Sequence, residues 1–249
     1  MRPAPILPPP PRPKRRRKRR SWLLSFVTFA FAAGMALFLV ATTAVGYIVW
    51  QSSRDLPDYE RLAKYEPPVM TRIHANDGTL MAEYARERRI FVPINVVPKR
   101  VIQAFLAAED RRFYEHGGFD FAGIARAMYR NLQNWSKGRR LEGASTITQQ
   151  VAKNFLLSAR QDLDRKVKEA LLTIRIEKTF KKEKILELYL NEIYLGMSSY
   201  GVAAAALNYF GKELANLDLE EAAYLAALPK APNNYHPFRR PKEATERRN

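Results

Sequence analysis

The chain contains no cysteine among its 249 residues, which excludes disulfide bonds and metal sites built on thiolates. Two further absences are local: residues 1–20 contain no acidic residue, and residues 22–50 contain no charged residue at all. No internal repeat is visible. A chain of this length can form one substantial domain with additional segments, and the two local absences already separate an N-terminal part from the rest.

The net charge of +17 is unevenly distributed. Residues 1–20 contain nine Lys and Arg side chains within a proline-rich stretch, which leaves +8 for the other 229 residues. About half of the basicity is therefore one local run rather than the basic face of a folded nucleic-acid-binding domain. We expect no nucleic-acid partner, because membrane topology and lipid headgroups explain the run sufficiently.

The uncharged segment is long enough to cross a bilayer. It has 29 residues, whereas a transmembrane helix needs about 20, and Trp22, Tyr47 and Trp50 lie where aromatic residues border a membrane. The basic run precedes this segment, while residues 51–66 contain three basic and four acidic side chains. The positive-inside rule therefore predicts a single-pass membrane protein, with a cytoplasmic N-terminus and the remainder of the chain on the other side of the membrane.

The pattern predicts four segments: a cytoplasmic Pro-rich and basic tail (1–20), a transmembrane helix (21–50), a linker with a short β segment (51–97) and a mainly α domain (98–249). In the linker, Asn76-Asp77-Gly78 separates two strand-like runs and predicts a hairpin, and residues 89–92 predict a third short strand. Apolar spacing predicts helices over residues 98–113, 121–135, 146–157, 165–180, 183–195, 201–210 and 219–228.

Glu109 lies on the apolar face of the first predicted helix, together with Phe105 and Phe113. A carboxylate aimed at the core must be neutralised, paired or used, because desolvating a charge is costly. Glu169 interrupts an apolar stripe in the same way. Two such glutamates on neighbouring helices suggest an acid/base pair facing one cleft, and carboxylate pairs act on glycosidic bonds. The alternative is two separate buried ion pairs, with Arg165 among the available cations.

A second candidate site is the loop that leads into the helix over residues 146–157. Thr146 and Gln149 have the spacing of a capping box, which is sufficient to explain both side chains. The same helix start favours an anionic group, and Lys153, one turn further, suits a phosphate. His116, in the sequence HGGFD, is either catalytic or closes a helix by bonding a loop carbonyl. The residues alone do not decide between a cap and an anion site at this helix start, nor between the two roles of His116.

Together these segments resemble a known family. Residues 109–120, with Glu109, Asp110, Phe113 and His116, resemble the first motif of the family 51 glycosyltransferases, the peptidoglycan polymerases of class A penicillin-binding proteins and of monofunctional transglycosylases. The match covers about residues 69–249, and the later motifs follow in order: GASTITQQVAKN (143–154), RKVKE (165–169), KILELYLN (184–191), YFGK (209–212) and LPKAP (228–232).

The resemblance implies a lysozyme-like, mainly α-helical transglycosylase domain that polymerises lipid II into β-1,4 glycan strands, with inversion and release of undecaprenyl pyrophosphate. Its partners would be lipid II and the growing glycan chain, the membrane, and other proteins of cell-wall synthesis. Glu109 would be the general base, and Glu169 the second catalytic carboxylate, near the pyrophosphate. The resemblance requires no cofactor but leaves room for a divalent cation, Mg²⁺ or Mn²⁺, at the pyrophosphate, with no metal ligand assigned. The substrate-binding residues that it implies are Asp110, Phe113, His116, Ser145, Thr146, Gln149, Gln150, Lys153, Arg160 and Arg165.

One position departs from the family pattern. Many relatives have an arginine four residues before the Arg-Lys pair of the third motif, where this chain has Gln161. Either the neighbouring Arg160 replaces it, or Lys153 and other residues hold the pyrophosphate. The serine motifs of a penicillin-reactive transpeptidase are absent, and we expect an N-terminal fragment of a longer, bifunctional penicillin-binding protein.

Two other functions are compatible with parts of this pattern. The first is a lysozyme-like lytic enzyme that cleaves glycan strands, and the second is a non-catalytic membrane scaffold whose basic tail binds a cytoplasmic partner. The second and third motifs favour polymerisation, because a lytic enzyme needs no pyrophosphate site.

Overall fold

The structure is a computed structural model that describes residues 22–65, 71–78, 80–84, 88–136, 143–157, 163–235 and 240–248. The predicted tail, residues 1–20, and the candidate residue Arg160 lie outside these ranges. The chain divides into two compact units, Met1–Trp50 and Gln51–Asn249.

The first unit is formed by most of helix α1 (Trp22–Arg54). Its segment Leu24–Arg54 is long and apolar enough to cross a membrane. Large apolar side chains along it are exposed to the surroundings, including Phe31 at 71% and Leu37 at 71%. A helix that exposes such side chains along its whole length is not the core helix of a soluble domain, and it fits the predicted membrane span.

Two small pairs of strands lie in the second unit. β1 (Thr71–His74) and β2 (Leu80–Tyr84) pair antiparallel, which confirms the predicted hairpin. Gly78 in the connecting turn has φ +85°, a conformation that favours glycine. β3 (Arg88–Arg89) pairs in parallel with the distant β4 (Ser199–Tyr200). The predicted third strand was therefore wrong in its extent, because its partner is remote in sequence and no local pattern reveals it.

The other regular elements of the second unit within the described residues are helices, which confirms the mainly α fold class. The helices are α2 (Lys99–Glu109), α3 (Phe121–Ser136), α4 (Ile147–Leu156), α5 (Leu163–Thr179), α6 (Lys182–Glu192), α7 (Val202–Phe210), α8 (Leu219–Ala227) and α9 (Pro241–Arg248).

The core forms around the apolar face of α6. Its side chains Ile185, Leu186, Leu188, Tyr189 and Leu190 are at most 1% exposed. Helix α4 packs against both α5 and α6, while α2 packs against α8, and α8 also contacts α9. This packing brings the end of α2, the start of α4 and the middle of α5 into one domain, and these three segments carry the candidate site residues.

Helix α2 ends earlier than predicted. Its last residue is Glu109, and Asp110 leaves the helical region with φ −155° and ψ 76°. Phe113, predicted to lie on the same helix, instead reaches the core from the turns that follow, where it is 1% exposed. The side chain of Asp110 explains the break, because it is bonded to groups outside α2, as described below.

Candidate functional site

Glu109 is half-buried at the C-terminal end of α2 and faces α4. Its Oε2 accepts a hydrogen bond of 2.7 Å from Nε2 of Gln150, which lies on the first turn of α4. The amide of Gln150 thus presents its NH₂ group to this carboxyl oxygen. The two motifs that contain these residues therefore meet at a hydrogen bond between their polar side chains.

Asp110 joins the same two segments. Its carboxylate is buried, accepts from Nε2 of His116 at 2.9 Å, and accepts from the backbone N–H of Ile147 at 3.1 Å. The N–H of Gly118 donates to Nδ1 of His116 at 3.2 Å, which leaves the ring proton on Nε2. Among the described residues His116 bonds the Asp110 carboxylate rather than a loop carbonyl, and it fixes the loop after α2 through Asp110.

The start of α4 is capped as its sequence predicts. The Thr146 side chain accepts from the backbone N–H of Gln149 at 3.3 Å, and the Gln149 side chain accepts from the N–H of Thr146 at 2.9 Å, which completes a capping box. The Thr146 hydroxyl also donates to the Gly118 carbonyl at 2.6 Å. Because the N–H groups of Ile147 and Gln149 have acceptors within the protein, the helix start alone does not form an anion site.

A cleft of about 220 Å³ opens beside Glu109. It is bordered by the end of α2, by α3 and by the loop that precedes α4. Its lining contains the acids Glu109, Asp110 and Asp120, the arginines Arg111, Arg126 and Arg130, and the loop residues 143–146, which include the exposed Ser145 and the buried Thr146. A half-open cleft that combines a glutamate with three arginines suits a substrate that carries both hydroxyl and phosphate groups.

Asp120 fixes one wall of this cleft. It accepts from the guanidinium of Arg112 and from the N–H of Gly123 at 2.8 Å, at the start of α3. Burial opposes the charge on this carboxyl, but the two hydrogen bonds outweigh burial, so the pKa of Asp120 lies below its usual value.

Glu169 has a different environment. It is 2% exposed on α5, where it forms an ion pair with Lys166 and lies 3.9 Å from Nη1 of Arg165. Within the described part of the chain, Glu169 does not belong to the lining of the cleft beside Glu109. Of the two carboxylates that were expected to face one cleft, only Glu109 lines it. Glu169 is instead paired with cations of its own helix.

Two other predicted site residues are Lys153, on α4, and Phe113, in the segment after α2. Lys153 is exposed one turn after Gln150 and on the same side of the helix. Phe113 is buried below the loop that follows α2, with Nζ of Lys182 4.4 Å from the centre of its ring. Phe113 is therefore placed to shape the loop from below, and Lys153 is placed to meet a ligand from solvent.

Sequence reasoning assigned no role to several residues that lie beside Glu109. Arg126 and Arg130, on α3, line the cleft; their spacing of four residues was a signal that they share a helix face. Tyr189 on α6 is fully buried, and its hydroxyl finds no hydrogen-bond partner among the residues that the structure describes. Burial, and next the charges of Glu109 and Asp110, raise the pKa of Tyr189 well above its usual value.

The residues do not fit a metal ion held by the protein alone. In the described ranges there is no group of three or more His, Asp or Glu side chains that is able to hold one. The carboxylate of Glu169 already faces Lys166 and Arg165, which oppose a further cation at that position.

Comparison with known proteins adds an independent observation. A family model described as Transglycosylase matches residues 77–249. Penicillin-binding protein 1A of Rickettsia felis is 55% identical over 203 residues, which cover 82% of this chain and 26% of that protein. Penicillin-binding protein 1A of Aquifex aeolicus is 50% identical over 196 residues, which cover 79% of this chain and 27% of that protein.

A crystal structure of penicillin-binding protein 1A from Haemophilus influenzae also matches, with 30% identity and a TM-score of 0.38, over 74% of this chain and 17% of that chain. The chain thus spans about a quarter of the length of the curated relatives that it matches.

Proposed function

The chain belongs to the transglycosylase family, and from this premise we propose that it polymerises lipid II into β-1,4 glycan strands at the outer face of the inner membrane. The observation that carries the proposal is the placement of Glu109, a half-buried carboxylate that lines a cleft with three arginines and is bonded to Gln150 of the second motif.

Glu109 is the general base in this proposal. Its carboxylate takes the proton from the 4-hydroxyl of the incoming lipid II while that oxygen attacks the anomeric carbon of the growing chain. The bond from this carbon to the pyrophosphate breaks, so the configuration inverts and undecaprenyl pyrophosphate leaves. Glu109 suits this role better than Glu169, because it borders the cleft while Glu169 is buried in an ion pair.

The pyrophosphate is bound by cationic side chains in this proposal. Arg111, Arg126 and Arg130 line the cleft, and Lys153 is exposed on the same side of α4 as Gln150. Arginine binds phosphate oxygens through two parallel hydrogen bonds, and lysine adds a point charge. Glu169 supports this region indirectly, since it fixes Arg165 and Lys166 on α5. We route no step through a metal ion.

The anchor brings the domain to its substrate. α1 has the length and composition of a membrane span, and lipid II is held in the membrane by its undecaprenyl chain. We propose a single span with the N-terminus in the cytoplasm and the catalytic domain in the periplasmic or extracytoplasmic space. Other proteins of cell-wall synthesis are further proposed partners, through the basic tail.

The test is the reaction of the purified chain, in detergent, with fluorescent lipid II. Polymerisation predicts a ladder of glycan products on a gel that a muramidase removes, together with release of undecaprenyl pyrophosphate. A lytic enzyme would instead shorten preformed glycan strands and leave lipid II unchanged, and a scaffold would do neither. Either of these two results contradicts the proposed function.

A further inference from the structure

The contact between Gln150 and Glu109 assigns a role to Gln150 that differs from phosphate binding. Its Nε2 lies 2.7 Å from Glu109 Oε2, which is a short hydrogen bond to a carboxylate. One of the two N–H groups of this amide is therefore used on Glu109, which is a role distinct from phosphate binding. We propose that Gln150 is a positioning residue that holds the Glu109 carboxylate in its ionised form and in the orientation needed to accept a proton; this rests on the proposed function, in which Glu109 is the base.

The position of Gln150 is fixed by two contacts at the start of its helix. The N–H of Ile147 donates to Asp110, which directly follows Glu109 in the chain, and the hydroxyl of Thr146 donates to the Gly118 carbonyl. Both contacts join α4 to the loop after α2. Because Gln150 lies one turn after Thr146 and Ile147, this anchoring directs its amide at the end of α2.

The local charges explain why such a donor is needed. Glu109 is the last residue of α2, where the partial negative charge of the helix end disfavours a second negative charge. Asp110 follows immediately, and its carboxylate is buried. A hydrogen bond from the Gln150 amide stabilises the ionised form of Glu109. Because an amide does not titrate near neutral pH, this donor is present at every pH in that range.

Other titratable and charged groups also face this carboxylate. Tyr189 approaches from α6, and His116 acts through Asp110. The cleft adds Asp120 and the arginines at positions 111, 126 and 130. Substitution of Gln150 leaves all of these groups in place, so a change in the titration of Glu109 reports on the amide.

The first experiment does not depend on activity. The full chain, labelled with ¹³C at glutamate side chains, is titrated by NMR in detergent micelles, and the Glu109 signal is identified by its loss in Glu109→Gln. In Gln150→Met, which has a similar size but no donor, we expect the titration midpoint of Glu109 to rise by about one pH unit. In Gln150→Glu a larger rise is expected, because a second carboxylate then faces the first. An unchanged midpoint in Gln150→Met overturns the proposal, whether or not the protein polymerises lipid II.

The matched control is Gln149→Met, which changes the neighbouring glutamine on the same helix. Gln149 accepts from the Thr146 N–H rather than contacting Glu109. This variant is expected to lower the thermal unfolding midpoint and to leave the Glu109 titration where it is. If Gln149→Met shifts the titration midpoint of Glu109 as much as Gln150→Met does, the proposal is overturned, because the shift would then be caused by a disturbed helix start.

The second experiment separates positioning from substrate binding. In lipid II polymerisation by Gln150→Met, we expect the acidic limb of the pH–kcat profile to move to higher pH by about one unit, with much of kcat recovered above that limb. A phosphate-binding role predicts a higher KM for lipid II at every pH and an unmoved limb, and that result overturns the proposal. If the wild-type chain forms no polymer, the proposed function fails, and the NMR titration still decides the role of Gln150.

Discussion

Asp110 accepts a hydrogen bond of 3.1 Å from the backbone N–H of Ile147, a residue 37 positions later in the chain. This contact fixes the start of α4 against the loop that follows α2. The two motifs are far apart in sequence, but their polar groups form one network that runs from His116 through Asp110 to α4, and from α4 through Gln150 to Glu109. The geometry of Glu109 therefore depends on residues of the loop after α2 and of α4.

The cap of α4 is a first test of this network. In Thr146→Ala, we expect the free energy of unfolding to fall by about 1–2 kcal/mol, because the cap of α4 and the bond to the Gly118 carbonyl are both lost. Thr146→Ser keeps the hydroxyl and is expected to lose less than half as much. Chemical denaturation of the two variants in detergent measures the difference, and equal losses would show that the hydroxyl is not what stabilises this turn.

The carboxylate of Asp120 gives a prediction on pH. The pKa of Asp120 is lower in the folded protein than in the unfolded chain, where it is about 3.9. The bonds of Asp120 to Arg112 and Gly123 therefore stabilise the fold fully above about pH 3.9, and this stabilisation is lost as the pH falls through the pKa of the folded state. The difference in unfolding midpoint between the wild-type chain and Asp120→Asn should therefore be constant from about pH 7 to about pH 5 and shrink below about pH 4. A difference that grows on acidification contradicts this assignment.

The ion pair on α5 predicts a structural role for Glu169. Glu169→Gln leaves the partly buried Arg165 and the half-exposed Lys166 without their carboxylate. We expect the free energy of unfolding to fall by about 2 kcal/mol. This is less than the loss expected for a fully buried ion pair, because Lys166 reaches solvent. Glu246→Gln changes an exposed glutamate on α9 and is the control. A Glu169→Gln variant as stable as the control would favour a direct role at the substrate instead.

Much of the fold could be predicted because its signals are local. The uncharged run gave α1, Asn76-Asp77-Gly78 gave the hairpin, and apolar spacing gave α3 to α8 within a few residues. The predicted family is confirmed by the transglycosylase match and by the similarity to penicillin-binding protein 1A. Periodicity and composition depend on neighbouring residues, and so they can be read without tertiary contacts.

The features that could not be predicted depend on distant contacts. The end of α2 was predicted too late, because periodicity continues to Phe113 while Asp110 is bonded to Ile147 and His116. The bond between Gln150 and Glu109 forms only when α4 packs against the loop after α2. The roles of the site residues therefore remain predictions, although the positions of most of them are now described.

The most direct measurement is the polymerisation rate of Glu109→Gln with saturating lipid II, compared with the wild-type chain and with Glu115→Gln. Glu115 is an exposed glutamate six residues further along the same segment, outside the lining of the cleft. If Glu109 is the general base, Glu109→Gln lowers kcat by about 10²–10⁴-fold, with an unfolding midpoint close to wild type, while Glu115→Gln keeps its rate. A Glu109→Gln variant that is folded and polymerises lipid II at the wild-type rate would contradict the central claim.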